Sequence, residues 1–288
     1  MPDNSKIEID GFQITKRIGI GARSVIYLAR DEATGQDVAL KRATIETEDD
    51  LKILDQIETE YKVSKKIDDP YIRKCYKIIK VRKPIKVKEV LLTMEMFKGQ
   101  TLEESPSLSL GDILLVFRMI ATGLNAMHEA GFVHCDIKPN NILISTEGAI
   151  KIIDLGQSCK LGAIKKRIQG TPDYIAPEQV RREHLSHRTD IFNLGATMYW
   201  ALTGRNIPTM IPTGKQDLGV LAKQPKEFKT PHQVYNVIPV ALSDIVMQCV
   251  QNKPSDRPSN MSEIISRLDV MIREIFAGKH SKNVTTDS

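Results

Sequence analysis

The chain has 288 residues, 41% hydrophobic and 27% charged, with a formal net charge of +5; this is enough for one large domain or two lobes, and it excludes a low-complexity or wholly disordered chain. The basic excess is too weak and scattered to argue for nucleic acid. Four scattered cysteines (Cys75, Cys135, Cys159, Cys249) without CxxC pairing exclude a disulfide scaffold and a zinc module, as expected of a reduced, cytoplasmic protein.

No signal-like apolar run opens the chain, and no stretch approaches the roughly 20 apolar residues that span a bilayer. Residues 12–42 alternate strand-like segments, FQITKRIGIG, SVIYLARD and DVALKRA, with Gly and Asp-Glu turns. The first hairpin holds IGIGARSV, residues 18–25, where glycines let backbone N–H groups approach a phosphate, although two glycines in a hairpin are also ordinary turn residues. Lys41 ends the apolar run VALK; alone, such a lysine ordinarily snorkels to solvent. Residues 48–67 have helical periodicity, with Ile53, Ile57, Ser64 and Ile67 about whole turns apart. Glu60 shares that inward stripe, which offers Lys41 an ion-pair partner. Glu58 lies off it, with Lys62 at i+4 as a surface pair.

Two further strands, KCYKIIKVR and KVKEVLLTMEM, meet near Pro84. Residues 77–88 carry six basic and no acidic side chains, read as a solvated hairpin face, with docking of an acidic partner as the alternative. Beyond Gly99 the pattern turns helical, at 111–129, 191–202 (apolar nearly all round, hence buried), 239–251 and 260–276. Residues 204–232 stay unassigned, and the final SKNVTTDS reads as a disordered end. Strands followed by helices predict an α+β protein with two unequal lobes.

The chemistry concentrates in HCDIKPNNIL, residues 134–143, followed by DLG at 154–156 and APE within GTPDYIAPE at 170–178. Asp136, Lys138 and Asn141 look like parts of a phosphate-transfer site. In order and spacing, from Phe12 to about Phe276, the sequence resembles the eukaryotic-type (Hanks-type) serine/threonine protein kinases: glycine loop, VALK lysine, helix glutamate, catalytic loop, DLG, APE. Glu60 follows Lys41 by 19 residues, and Asp154 follows Asp136 by 18.

The resemblance implies a bilobal fold. An extension at 1–11 would precede a kinase domain at 12–278, with a small, mainly antiparallel β N-lobe (12–97) bearing one regulatory helix, a larger helical C-lobe (98–278) and a flexible tail at 279–288. It implies ATP with Mg²⁺, or Mn²⁺ in its place, and transfer of the γ-phosphoryl group to Ser/Thr hydroxyls of protein substrates. Lys41, oriented by Glu60, would bind the α and β phosphates under the loop of Ile18, Gly19, Gly21, Ala22 and Ser24. Val25, Ala39 and Leu143 would sandwich adenine, with Met94 as gatekeeper and the backbone of Glu95 and Phe97 at the base edge. Asn141 and Asp154 would hold the metal. Asp136 would accept the hydroxyl proton, Lys138 would neutralise the transferring group, and Thr171 would bridge those two. Glu178 would pair with Arg257, and Asp190 would anchor the catalytic loop. A loose phosphoryl-transfer transition state asks for this set, because positioning and charge neutralisation dominate.

Three departures stand out. Ser24 replaces the third glycine of GxGxxG. Cys135 replaces the arginine that commonly pairs with an activation-loop phosphate, and residues 159–170 hold no Ser, Thr or Tyr, so both halves of that switch are absent together. Cys159 occupies the other wall of the same pocket, so the two cysteines are either small fillers or a thiol pair. The basic residues of that loop, Lys160, Lys165, Lys166 and Arg167, are read as solvated, or else as a site for acidic partners. In the packing column of His134, Leu155, Ser64 and Cys75, Ser64 removes apolar contact worth roughly 1–3 kcal/mol. The glutamate helix would then be loosely held, or braced by a regulatory partner or a further domain beyond the C-terminus. The alternative to an active kinase is a pseudokinase, a nucleotide-binding scaffold.

Overall fold

The computed structural model describes residues 9–21, 23–82, 84, 86–105, 108–208 and 228–283, with 276–283 described by their helix alone. Ala22, residues 209–227 of the unassigned segment and the last five residues lie outside the described residues, as do most of the expected N-terminal extension and two positions of the basic hairpin.

Alternating apolar residues build three strands, β1 (Phe12–Ile20), β2 (Val25–Asp31) and β3 (Asp37–Thr44), before helix α1 (Leu51–Ser64). Strands β4 (Cys75–Arg82) and β5 (Val87–Glu95) complete an antiparallel sheet in the order β1-β2-β3-β5-β4. Successive side chains of a strand point to opposite faces. In β3 this sends Val38 and Leu40 into a core with Phe12, Tyr27 and Leu91, while Ala39 and Ala43 pack with Leu54 and Ile57 of α1. Lys41 falls between these alanines and shares their face. The surface pair appears as expected, Lys62 to Glu58 at 3.1 Å, but Lys80 of the basic hairpin also reaches Glu58 at 2.6 Å. The hairpin face is therefore partly neutralised rather than wholly solvated.

The second unit is mainly helical. It holds β6 (Gln100–Thr101), α2 (Leu110–Glu129), β7 (Phe132–Val133), β8 (Ile142–Ile144), β9 (Ile150–Ile152), β10 (Cys159–Lys160) and α3 (Pro177–Arg181). Then come α4 (His187–Thr203), α5 (Pro231–Val234), α6 (Val240–Cys249) and α7 (Met261–Asn283). A three-stranded sheet β6-β8-β9 and a two-stranded pair β10-β7 carry its loops. This is the expected bilobal α+β fold: an antiparallel sheet lobe with one helix, and a helical lobe. By contacts, Asp154–Gly156 group with Ile72–Lys98 in the sheet lobe.

Helix α2 starts at a capping box, in which Ser109 Oγ accepts from Asp112 N at 3.2 Å and the Asp112 carboxylate accepts from Ser109 N at 3.3 Å. Its 20 residues, with a mean hydropathy of 1.4 over an 18-residue window, are long and apolar enough to cross a membrane by length and composition, which corrects the sequence expectation that no stretch comes close. The apolarity has another explanation here, because α2 packs on α4 and α7 and buries ten residues, Phe117 and Leu124 among them. Helix α4 begins four residues before the expected start because Ser186 caps it. Helix α7 continues past the expected end at 276 to Asn283.

The Glu178–Arg257 pair is present and sealed. Arg257 Nη1 and Nη2 donate to the two Glu178 oxygens at 2.7 and 2.9 Å, and Nη1 also donates to the Arg188 carbonyl at 2.8 Å. This satisfaction of the buried charges is what makes the pair tolerable.

Gly195 explains how α4 approaches α6: a Cβ there would stand 2.4 Å from Cys249 Cβ and 3.1 Å from Val250 Cγ1. Gly195→Ala is expected to lower unfolding free energy by about 1–3 kcal/mol by overpacking, measured by urea denaturation. Because the clash is with a Cβ, adding Cys249→Ala should not restore the loss; full restoration would contradict the contact.

Candidate active site

In the sheet lobe, Lys41 Nζ donates to Glu60 Oε2 at 2.7 Å, and Asp154 Oδ1 lies 3.6 Å from the same ammonium. Burial pulls the Lys41 pKa down, but the charges of Glu60 and then Asp154 outweigh it and hold the ammonium above its ordinary range. A raised lysine pKa contributes stability below its unfolded value and loses it only as pH rises through the folded one. The Lys41 ammonium therefore stays charged through neutral pH. Asp154 adopts φ +62°, a left-handed conformation that aspartate tolerates better than most side chains.

Arg73, absent from the sequence reading, is a second cation at this point. It is buried, with Nη2 3.5 Å from Glu60 Oε1. Ser64 is also better placed than its polarity suggested. Its hydroxyl donates to the Arg73 carbonyl at 3.1 Å and accepts from Cys75 N at 2.8 Å. Helix α1 is thus fastened to the start of β4 by hydrogen bonds in place of the apolar contact that serine lacks. In the glycine hairpin, Gly21 N donates to Ser24 O at 2.7 Å, and a Cβ on Gly21 would stand 2.7 Å from Ser24 Oγ. A side chain at Gly21 would therefore require the Ser24 hydroxyl to turn away.

Of the residues expected around adenine, Ala39 and Met94 are buried opposite each other on β3 and β5, and Val25 opens β2. The Glu95 N–H is taken by Lys74 O at 2.8 Å and so is not the group that would address a base. Ile18 and Gly19 lie on β1, Phe97 follows β5, and Leu143 lies on β8 of the helical lobe.

The helical lobe brings Asp136, Lys138, Asn141 and Thr171 together. Thr171 donates to Asp136 Oδ1 through its hydroxyl at 3.0 Å and through its N–H at 3.1 Å. Lys138 Nζ donates to Thr171 Oγ1 at 2.7 Å and stands 3.2 Å from Asp136 Oδ2. Asn141 Nδ2 donates to the Asp136 carbonyl at 2.8 Å, which commits the amide nitrogen and leaves Oδ1 as the acceptor able to meet a cation.

This loop hangs on Asp190, whose carboxylate is fully buried. Oδ2 accepts from His134 N and meets His128 Nε2, and Oδ1 accepts from Cys135 N, each at 2.8 Å. Burial would raise the Asp190 pKa, yet His128 and the backbone donors bring it below the ordinary carboxylate value. His134 Nδ1 accepts from Asp136 N at 3.2 Å, so its proton sits on Nε2, facing Ile153 O at 3.3 Å.

Gln179, also missed from sequence, joins four segments. Nε2 donates to Cys135 O at 2.8 Å and Gln169 O at 3.1 Å, while Oε1 accepts from Ala176 N and Asn193 Nδ2. The only signal for it was a polar residue directly after Glu178. Among the described residues no three His, Cys, Asp or Glu side chains cluster around a point. Mg²⁺ takes one or two protein oxygens and otherwise phosphate and water; the half-exposed Asp154 carboxylate in the sheet lobe is an oxygen donor of that kind, and so is Asn141 Oδ1 in the helical lobe.

The sequence profile of the protein kinase domain matches residues 12–268. A probable serine/threonine-protein kinase of Clostridium acetobutylicum is 27% identical over 89% of this chain and 39% of its own length. PknD of Chlamydia pneumoniae, a serine/threonine-protein kinase, is 27% identical over 89% of the chain and 30% of its own. PknA of Corynebacterium glutamicum, also so described, is 30% identical over 65% of the chain and 42% of its own. The chain thus spans less than half the length of these relatives.

Glu60 is the single anion between Lys41 and Arg73 in the ion pairs described, so the two sides of this cluster should respond unequally. Glu60→Gln, which strips Arg73 of its anion and leaves Lys41 only Asp154 at 3.6 Å, is expected to cost about 3–5 kcal/mol, and Arg73→Met much less. Urea denaturation midpoints of the two variants decide this, and equal costs would contradict it.

Proposed function

Because this chain belongs to the protein kinase domain family as a Hanks-type serine/threonine kinase catalytic domain, we propose that it transfers the γ-phosphoryl group of ATP to Ser/Thr hydroxyls of proteins. The observation that carries this reading is the hydrogen-bonded set of Asp136, Thr171 and Lys138. It provides a carboxylate with one oxygen held by Thr171 and the other beside an ammonium. Mg-ATP supplies the transferable group and part of the charge neutralisation when bound. Asp136 orients the acceptor hydroxyl and takes its proton, and Lys138 offsets charge building on the oxygens of the transferring group. Lys41, fixed by Glu60, binds and orients phosphates. Asn141 Oδ1 and Asp154 would each offer the metal an oxygen.

The substitutions that favour a scaffold reading do not strip the site. Ser24 and Ser64 have structural partners, and Cys135 keeps its backbone hydrogen bonds to Asp190 and Gln179. Protein substrates, a cytoplasmic location and control by a partner or further domain remain part of this proposal.

The test is transfer of labelled phosphate to a generic basic protein, followed by phosphoamino-acid analysis. Phosphoserine and phosphothreonine are expected. Asp136→Asn should lower the rate on the order of 10²–10⁴-fold, and Asp154→Asn, whose side chain tolerates the same left-handed backbone, should abolish turnover while the chain stays folded. Nucleotide binding with no transfer by the unmodified chain would establish the scaffold instead.

Treatment with a phosphatase should leave the basal rate unchanged. Residues 159–170 carry no hydroxyl, the Ser158 side chain is buried, and the Thr171 hydroxyl is engaged with Asp136 and Lys138. A large fall in rate traced by mass spectrometry to Ser158 or Thr171 would overturn this.

A further inference from the structure

Strand β10 lies antiparallel to β7, with Cys159 opposite Val133. Two residues beyond Val133 the chain turns through Cys135 at φ +67°, a left-handed conformation unusual for cysteine. That turn leaves Cys135 Sγ 3.5 Å from Cys159 Sγ, in thiol–thiol contact. Cys135 is buried with Val133 and Leu185, while Cys159 is only partly covered on the same cluster. The backbone of Cys135 is fixed from both sides, its N–H by Asp190 and its carbonyl by Gln179. We propose that Cys135 and Cys159 form a dithiol oxidation site that a peroxide converts reversibly into an intrachain disulfide, a site independent of the transfer reaction.

The two thiols are unequal in a way that assigns their parts. The hydrogen bond from Cys135 lowers the Cys159 pKa, which the positive charge of Lys165 also favours; the same bond, and then burial, push Cys135 well up. Cys159 is the more exposed and the better thiolate, so it meets the oxidant. Its sulfur attacks the peroxide, forming an S–O bond as the O–O bond breaks, and the departing hydroxide takes a proton to leave as water. The Cys135 sulfur then attacks the Cys159 sulfenic acid. An S–S bond forms, the S–O bond breaks, and the hydroxyl leaves as a second water with the Cys135 proton. Two thiols lose two electrons and one peroxide gains them. The sulfurs must close from 3.5 Å to about 2.05 Å. A dithiol reductant reverses the reaction by exchange.

Cys75 and Cys249 serve as internal controls. Both are buried, burial pushes each thiol up to about 12, and neither contacts another cysteine.

The experiment treats the reduced, native chain with equimolar hydrogen peroxide, removes the oxidant, denatures and alkylates. The expected product has two hydrogens fewer, two alkylated thiols rather than four, and a proteolytic cross-link joining the peptides of Cys135 and Cys159, all reversed by dithiothreitol. Cys159→Ser, checked for an unchanged melting temperature, should lose the cross-link. Mapping of the unmodified chain decides the matter even if that variant folds poorly. Four alkylatable thiols after peroxide, a cross-link involving Cys75 or Cys249, or oxygen added to Cys159 without a cross-link would each overturn the proposal.

Discussion

The helical lobe depends on a single carboxylate that water does not reach. Asp190 stands in the first turn of α4 and accepts the N–H groups of His134 and Cys135. An ionised group so deeply buried is tolerable only when its oxygens are filled, and His128 completes the set. Asp136, one residue beyond these donors, is therefore aimed by a helix distant in sequence. Gln179 adds a grip on the same turn through the Cys135 carbonyl, so residue 135 is fixed on both sides while its side chain is free to be something other than arginine.

The sheet lobe solves a related problem with different chemistry. A lysine on the α1 face of β3 needs a buried anion, and Glu60 provides it. Arg73 then supplies a further cation from the other side, and Ser64 ties α1 to β4 through backbone groups. Where a larger apolar side chain would fill space without direction, this arrangement has defined donors and acceptors. Its specificity comes with an unsatisfied atom, since Arg73 Nε is buried without a partner among the described residues.

Much of this was legible in the chain because it is written locally. Alternation in DVALKRA placed Lys41 on one face, helical spacing placed Glu60 inward, and GTPDYIAPE announced both Thr171 and Glu178. What stayed hidden depends on partners distant along the chain. Arg73 in YIRKC reads as one more surface cation until its contact with Glu60, 13 residues away, is seen. Gln179 has no periodic or motif signal, and its role exists only once residues 135, 169, 176 and 193 converge. Ser64 misled in the opposite direction, because a buried serine reads as lost packing when its two hydrogen-bond partners are unknown. The early start of α4 was set by the Ser186 cap rather than by hydrophobic period.

The segment from Cys159 to Gly170 has a consequence for how a signal would be stored. A kinase that marks its own activation segment acquires memory: each active molecule raises the activity of the next, and the population can flip between low and high output. That feedback needs a hydroxyl at which the product of the reaction can be written. Residues 159–170 offer none, and the flanking Ser158 and Thr171 are respectively buried and occupied with Asp136 and Lys138. On the proposed activity, this segment cannot latch. Its output would track nucleotide, substrate and protein concentration in a graded manner, without the hysteresis that self-marking confers.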